Sequence, residues 1–236
     1  MRIWDVAPGY LNRGSLLGEH RELHGLRSIL VHGKTGYSRH PETLRWVGCL
    51  SGLALRHDAL VAEMRLRGYV DRTPVRCGSR SGTWPRVFVT DPADQLALLR
   101  TKYDRREQGR IPLPRDAQQL WAQHKYSVMA RSPETYQRIG RAVARMRRSD
   151  GVVALARDLV LILREPPAEG RLTNALEHMW GHVRDFATPA DIAAAQRGAR
   201  PMFLLIQALE TRAGDPFLTA STALSELGVY VRTAAR

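Results

Sequence analysis

Apolar residues recur at helical spacing along most of this chain, and glycines and prolines cut the pattern into short runs. The clearest run covers 15–32, where Leu16, Leu23, Leu26 and Leu30 form one stripe and Gly33 ends it. After it the pattern predicts a helix over about 41–50, another over about 53–67 stopped by Gly68, and a shorter one opened by Asp91-Pro92 and running to Tyr103. Between 71 and 90 the periodicity breaks into turns, with Arg72, Arg76, Arg80 and Arg86 spaced around Trp84. That segment reads in two ways: a basic strip along a nucleic-acid backbone with Trp84 beside a base, or a connector whose Trp84 packs on the core. Gly109-Arg110-Ile111-Pro112-Leu113-Pro114 reads as an extended linker, which divides the chain into a unit over 1–110 and a second one over 117–236. The expected fold class is mostly all-α, with both units helical.

Charge narrows the partner. The formal net charge is +13 and the pI near 10.7, a balance that favours a polyanion through counterion release. Nearly all the cations are arginine, which suits bidentate phosphate contacts. A GC-rich genome would explain the choice of arginine over lysine, but less easily the net charge. Cys49 and Cys77 fall in no metal-ligand spacing, and no basic-then-apolar signal opens the chain. No apolar run approaches the roughly 20 residues of a membrane span. The expected location is the cytoplasm, in association with the nucleoid and away from membranes.

The candidate chemistry lies at the start of the chain, in Met1-Arg2-Ile3-Trp4-Asp5 and the helix reading Ser15-Leu16-Leu17-Gly18-Glu19-His20-Arg21-Glu22-Leu23. An α-amine has a pKa of about 7.7 to 8, against roughly 10.4 for lysine, so part of it is a neutral nucleophile near pH 7. A free amine beside a carboxylate can attack a sugar carbon and form a Schiff base. Gly18, Glu22 and Gly25 share one strip of the helix. Each glycine weakens a helix by about 1 kcal/mol relative to alanine, so something other than propensity favours them. One reading places the Glu22 carboxylate in a slot with low walls. The other makes Glu22 a surface acid paired with Arg21 or Arg27, with the glycines permitting close helix packing.

Arg2-Ile3, followed at 16–23 by Leu-Leu-Gly-Glu-His-Arg-Glu-Leu, resembles the pyrimidine-dimer DNA glycosylase family. The similarity continues weakly through Gly33-Lys34-Thr35-Gly36-Tyr37-Ser38-Arg39-His40-Pro41 and 56–69, covering about the first third of the chain. The resemblance implies a glycosylase with abasic-site lyase activity, acting on double-stranded DNA with damaged pyrimidines. It puts Glu22 on the catalytic glutamate, Arg21 on the arginine before it, and Met1 on the terminal nucleophile. Arg2 then matches the arginine after that nucleophile, and as a bulky second residue it normally blocks removal of Met1. Arg2 and Arg21 would hold phosphates. The composition of the loop suggests phosphate contact for Lys34 and Arg39 as well, although a loop of mixed polar residues is more often merely solvated. The chemistry requires no metal and no organic cofactor. Gly14 and Ser15 stand where the phage member has glutamine and histidine, and Gly25 where it has a second arginine. These departures motivate one alternative, a glycosylase for another damaged or modified base; the other alternative is a non-enzymatic nucleic-acid-binding adaptor in which the terminus is incidental.

Over 117–236, Leu120-Trp121-Ala122-Gln123-His124-Lys125-Tyr126, Asn174-Ala175-Leu176-Glu177-His178-Met179-Trp180-Gly181 and Pro201-Met202-Phe203-Leu204-Leu205-Ile206 resemble an uncharacterised bacterial all-helical domain. That domain also occurs alone and fused to a thiouracil-desulfurising domain, and it brings no established chemistry. His178 and His182 are one turn apart, a spacing that can bind a metal, but Glu177 points to another face and no third ligand presents itself. They read as packing histidines. His124-Lys125-Tyr126 reads as touching phosphate or the first unit, or as a face for a protein partner.

Overall fold

The computed structural model describes residues 1–75, 81–147 and 152–231, and among these it contains helices, turns and no strand. Arg76, Cys77 and Arg80 lie outside the described residues. The α-helices in chain order are α1 (Arg13–His32), α2 (Pro41–Arg45), α3 (Leu50–Leu66), α4 (Pro92–Lys102), α5 (Ala117–Met129), α6 (Pro133–Arg145), α7 (Val153–Arg164), α8 (Glu169–Trp180), α9 (Pro189–Ala195), α10 (Ala199–Ala213), α11 (Pro216–Thr219) and α12 (Ala223–Glu226). None of the described helices is long and apolar enough to cross a membrane.

α1 starts two residues earlier than its leucine stripe suggests, because Asn12 caps it: the Asn12 side chain accepts the Ser15 N–H at 2.9 Å. It stops at Gly33, whose φ of 60° is left-handed. Leu16, Leu23 and Leu26 are fully buried and Leu30 half-buried. The helix expected over about 41–50 is only α2. Trp46 leaves helical backbone at φ −91°, ψ 0°, and Gly48 turns the chain with φ 76° before α3 begins.

α3 is buried on two opposite faces. Leu53, Leu60 and Met64 pack into a first core with Leu16, Leu23 and Leu26 of α1 and Leu96 and Leu99 of α4. Leu55, Ala59, Ala62 and Leu66, half a turn around, meet a second core built from α8, α10 and the segment 218–231. A helix enclosed in this way needs no polar face. α5 also bridges the cores, placing Leu120 and Val128 in the first and Tyr126 and Met129 in the second. Side chains from α6 and α7, including Ile139, Val143, Leu155 and Leu159, complete the first core. Packing is therefore continuous across the linker, and Ile111 is fixed by its N–H to the Gly9 carbonyl at 2.9 Å.

Trp84 packs against both cores, 6.1 Å from the Trp46 ring centroid and beneath the Arg164 guanidinium. This is the core-packing alternative for that residue. Its segment crosses the start of α3, where the Thr83 N–H donates to Ser51 Oγ at 2.9 Å and a Cβ on Gly52 would lie 2.3 Å from the Thr83 carbonyl oxygen. Gly25 in α1 has nothing within 4 Å of such a Cβ. Two alanine substitutions therefore diverge in sign. Gly25→Ala stabilises by up to about 1 kcal/mol through helix propensity, whereas Gly52→Ala destabilises by about 1 to 3 kcal/mol because a backbone oxygen must move. Urea unfolding of the two variants measures this, and equal shifts would refute the close approach at Gly52.

Candidate active site at the N-terminal segment

Each of residues 2–6 is tied through a backbone group to a side chain from one of four helices. The Arg2 N–H donates to Glu22 Oε2 on α1. The Ile3 carbonyl accepts Arg45 Nη2 from α2 at 2.8 Å. The Trp4 N–H donates to Glu19 Oε1 at 3.1 Å, and the Asp5 N–H to Gln95 Oε1 of α4 at 2.8 Å. The Val6 carbonyl accepts Arg56 Nη1 from α3 at 2.9 Å. A terminus alone would fray; this one is registered residue by residue.

Buried charge supports that register. Glu19 has a fully buried carboxylate that takes Arg56 through Nε at 2.8 Å and Nη2 at 2.9 Å, a bidentate pair. Burial pushes the Glu19 carboxyl above its ordinary range, and Arg56 pulls against that rise. The Asp5 carboxylate receives Arg45 Nη1 at 3.0 Å, Gln95 Nε2 at 2.8 Å and Arg164 Nη2 of α7 at 2.8 Å. α7 thus reaches the terminal segment directly.

Above this base lies a cleft of about 360 Å³, lined among others by Arg2, Gly14, Ser15, Gly18, Glu22 and Lys102. Gly18 and Gly25 have no atom within 4 Å of where a Cβ would stand, so close helix packing does not explain them. Glu22 is exposed and accepts the Arg2 backbone N–H. The Arg2 guanidinium sits 4.9 Å from the centroid of the Trp4 ring. Met1 packs part of its side chain on the first core and borders a second depression with Arg2, Asp5, Pro41 and Arg45.

The site residues expected from sequence are only partly gathered here. Arg2 and Glu22 share the cleft and Met1 adjoins them. Arg21 is exposed on α1, and Lys34 and Arg39 are exposed on the loop before α2, none of them lining the cleft. Arg39 instead borders a shallow depression with Tyr37, which is 71 % exposed and held at φ 57°. Asp5, Glu19, Arg45, Arg56, Gln95 and Arg164 were not distinguished in the sequence, because each acts through a partner distant in the chain.

Among the histidines, His124 is buried, with Nδ1 3.4 Å from the Tyr10 hydroxyl, and burial lowers its pKa to about 4. It touches the first unit, one of its expected contacts. His182 is held between the Tyr126 hydroxyl and Asp215, while His178 is exposed. His20, His24 and His57 cluster where α1 meets α3, with ring centroids 4.8 to 5.1 Å apart. Burial lowers the pKa of His20 and His24, and neighbouring imidazoles lower them further. His20 and His24 share the i,i+4 spacing that His178 and His182 show, and that is their signal in the sequence.

Residues 1–76 match the family described as pyrimidine dimer DNA glycosylase, and residues 125–197 match one described as protein of unknown function, DUF1722. The first match carries the terminal segment and α1 to α3, and the second falls beyond the linker. Both agree with the resemblances drawn from the residues. No curated protein and no solved structure matches the chain.

Proposed function

We propose that this protein is a DNA repair glycosylase with abasic-site lyase activity, acting on cyclobutane pyrimidine dimers in duplex DNA with the Met1 α-amine as nucleophile. The observation that carries the reading is the hydrogen bond from the Arg2 N–H to Glu22. It sets a carboxylate one residue from the terminal amine, at the edge of a cleft in the size range of ligand pockets, about 300 to 1,000 Å³. The similarity of residues 1–76 to pyrimidine dimer DNA glycosylases supports the same substrate class.

In this reaction the neutral amine attacks C1′ of the 5′ nucleotide, and the glycosidic bond breaks with its electron pair leaving on the base. The sugar ring then opens to an imine. Loss of a C2′ proton shifts electrons towards the imine nitrogen and expels the 3′ phosphate. Glu22 stabilises the positive charge at C1′ and nitrogen and carries the protons. Arg2 holds a phosphate at the cleft, while Arg21, Lys34 and Arg39 contact the backbone further out. The duplex must bend and a nucleotide must leave the stack, at a cost of a few kcal/mol offset by these contacts. Bracing by Arg164 gives the second unit a part in holding the nucleophile. Gly14 and Ser15 lie in the cleft, so a different damaged base is the second reading, and a panel of defined-lesion duplexes separates the two.

Borohydride trapping on a duplex with one abasic site tests the amine. Protein with its native terminus is expected to give a covalent adduct mapping to Met1, and a copy with an N-terminal extension none. No adduct with either would overturn the lyase mechanism and leave a binding protein. An adduct with both would move the nucleophile to a lysine.

A further inference from the structure

The histidine cluster between α1 and α3 is not used by the chemistry above. His20 and His24 stand one turn apart on α1, on the side of the helix away from Glu22, and His57 faces them from α3. One ring nitrogen from each can be chosen so that all three lie within 4.8 Å of one another. Both nitrogens of His57, only 1 % exposed, and Nε2 of His20 are buried without a hydrogen-bond partner. Each such group carries a desolvation penalty that a hydrogen-bonded one does not. Imidazole nitrogens buried without partners are an unfavourable way to fill a helix interface that aliphatic side chains would fill better.

A carboxylate lies beside two of the three rings. Asp71, from the turn after α3, places Oδ1 3.4 Å from His20 Nε2 and Oδ2 3.9 Å from His57 Nε2. Both distances exceed a good hydrogen bond, and both suit ligands grouped around a common cation. The Asp71 carboxylate is oriented by the Thr73 N–H at 2.9 Å, and Thr73 Oγ1 lies 3.0 Å from His24 Nε2. Outer hydrogen bonds of this kind fix ligating imidazoles and carboxylates. Tetrahedral zinc with bonds of about 2.05 Å sets its ligand atoms about 3.3 Å apart, which small side-chain rotations reach from the spacing found here.

We propose that His20, His24, His57 and Asp71 form a binding site for a divalent transition-metal ion of the zinc class. Three neutral imidazoles and a carboxylate suit zinc among the common divalent ions, whereas calcium and magnesium need oxygen ligands. With four protein ligands no position is left for water, so the ion is structural. It ties α1 to α3 and to the turn after α3, and so holds the helix that carries Glu19 and Glu22. His57 and Asp71 border the groove between α3 and α10, which gives an ion a path from solvent.

The test uses the full chain, stripped with a chelator and titrated with Zn²⁺ against a chromogenic chelator, then with Co²⁺ followed by its visible absorption. Expected are one tight equivalent, tetrahedral Co²⁺ bands, and a rise in Tm on adding zinc that chelation reverses. His24→Gln, at a half-buried position, should fold and bind at least about 100-fold more weakly. Asp71→Asn provides a second variant should that one fail to fold. His178→Gln, an exposed histidine elsewhere, should bind like the parent. Absence of stoichiometric binding, or binding that survives both His24→Gln and Asp71→Asn, would overturn the site.

Discussion

Glu22→Gln is expected to slow strand cleavage at an abasic site by about 10²- to 10⁴-fold, the usual contribution of a positioned acid or base, while leaving the fold intact. The substitution is selective for a structural reason. Glutamine keeps an oxygen that accepts the Arg2 N–H, so the terminal segment remains registered by that bond and by Glu19, Arg45, Arg56 and Gln95. What disappears is the negative charge and the capacity to carry a proton. DNA affinity should hold or tighten, since an anion is removed from a cleft that also contains Arg2 and Lys102. A loss in the single-turnover rate without loss of binding marks an interaction made in the transition state. Single-turnover nicking and a binding titration at fixed salt measure the two quantities. Full cleavage by Glu22→Gln would sink the role given to this residue.

The candidate site is legible where it depends on local spacing, and illegible where it depends on distant pairs. Met1, Arg2 and Glu22 stood out because the terminus and the helix motif keep a recognisable separation. Asp5 did not, because its significance comes from Arg45, Gln95 and Arg164, which only the fold brings to it. The same holds for charge. Arg45, Arg56, Arg110, Arg131 and Arg164 count towards the net positive balance, yet their guanidiniums are largely buried against Asp5, Glu19, Glu63 and Glu226. Composition sees them as candidates for phosphate, whereas the structure spends them on holding helices together. α1 was readable from its leucines and Gly33. α3 carries its two apolar faces to two different cores, so its existence was readable but its central place was not. The break at Trp46 and Gly48 was missed because a single glycine after a short apolar run is compatible with a continuing helix.

Glu63 is the buried charge whose loss should cost the most. Its carboxylate, wholly enclosed on α3, accepts Arg67 Nε at 2.8 Å, Arg110 Nε at 2.9 Å and Arg110 Nη2 at 2.7 Å. Those two arginines reach onward, Arg67 to the Leu11 carbonyl at 2.8 Å and Arg110 to the carbonyls of Thr219 and Ser221. One carboxylate thus ties the start of the chain, α3, the linker and the segment before α12. Glu63→Ala leaves two half-buried guanidiniums without a counter-charge, and the expected loss of stability is about 3 to 5 kcal/mol. Its pH dependence gives an independent check. Burial alone would raise the carboxyl, but Arg110 and then Arg67 bring it down to about 2. A carboxylate bound more tightly to its charged form in the folded state stabilises fully above the unfolded pKa of about 4.3. That contribution, about 3 kcal/mol, fades as the pH falls from there towards 2. Urea denaturation of the parent should therefore show stability declining with acid across this window, and Glu63→Gln should start lower at pH 7 and decline less. Were Glu63→Gln as stable as the parent at pH 7, the network would be replaceable, and the cores alone would have to account for how the two units stay joined.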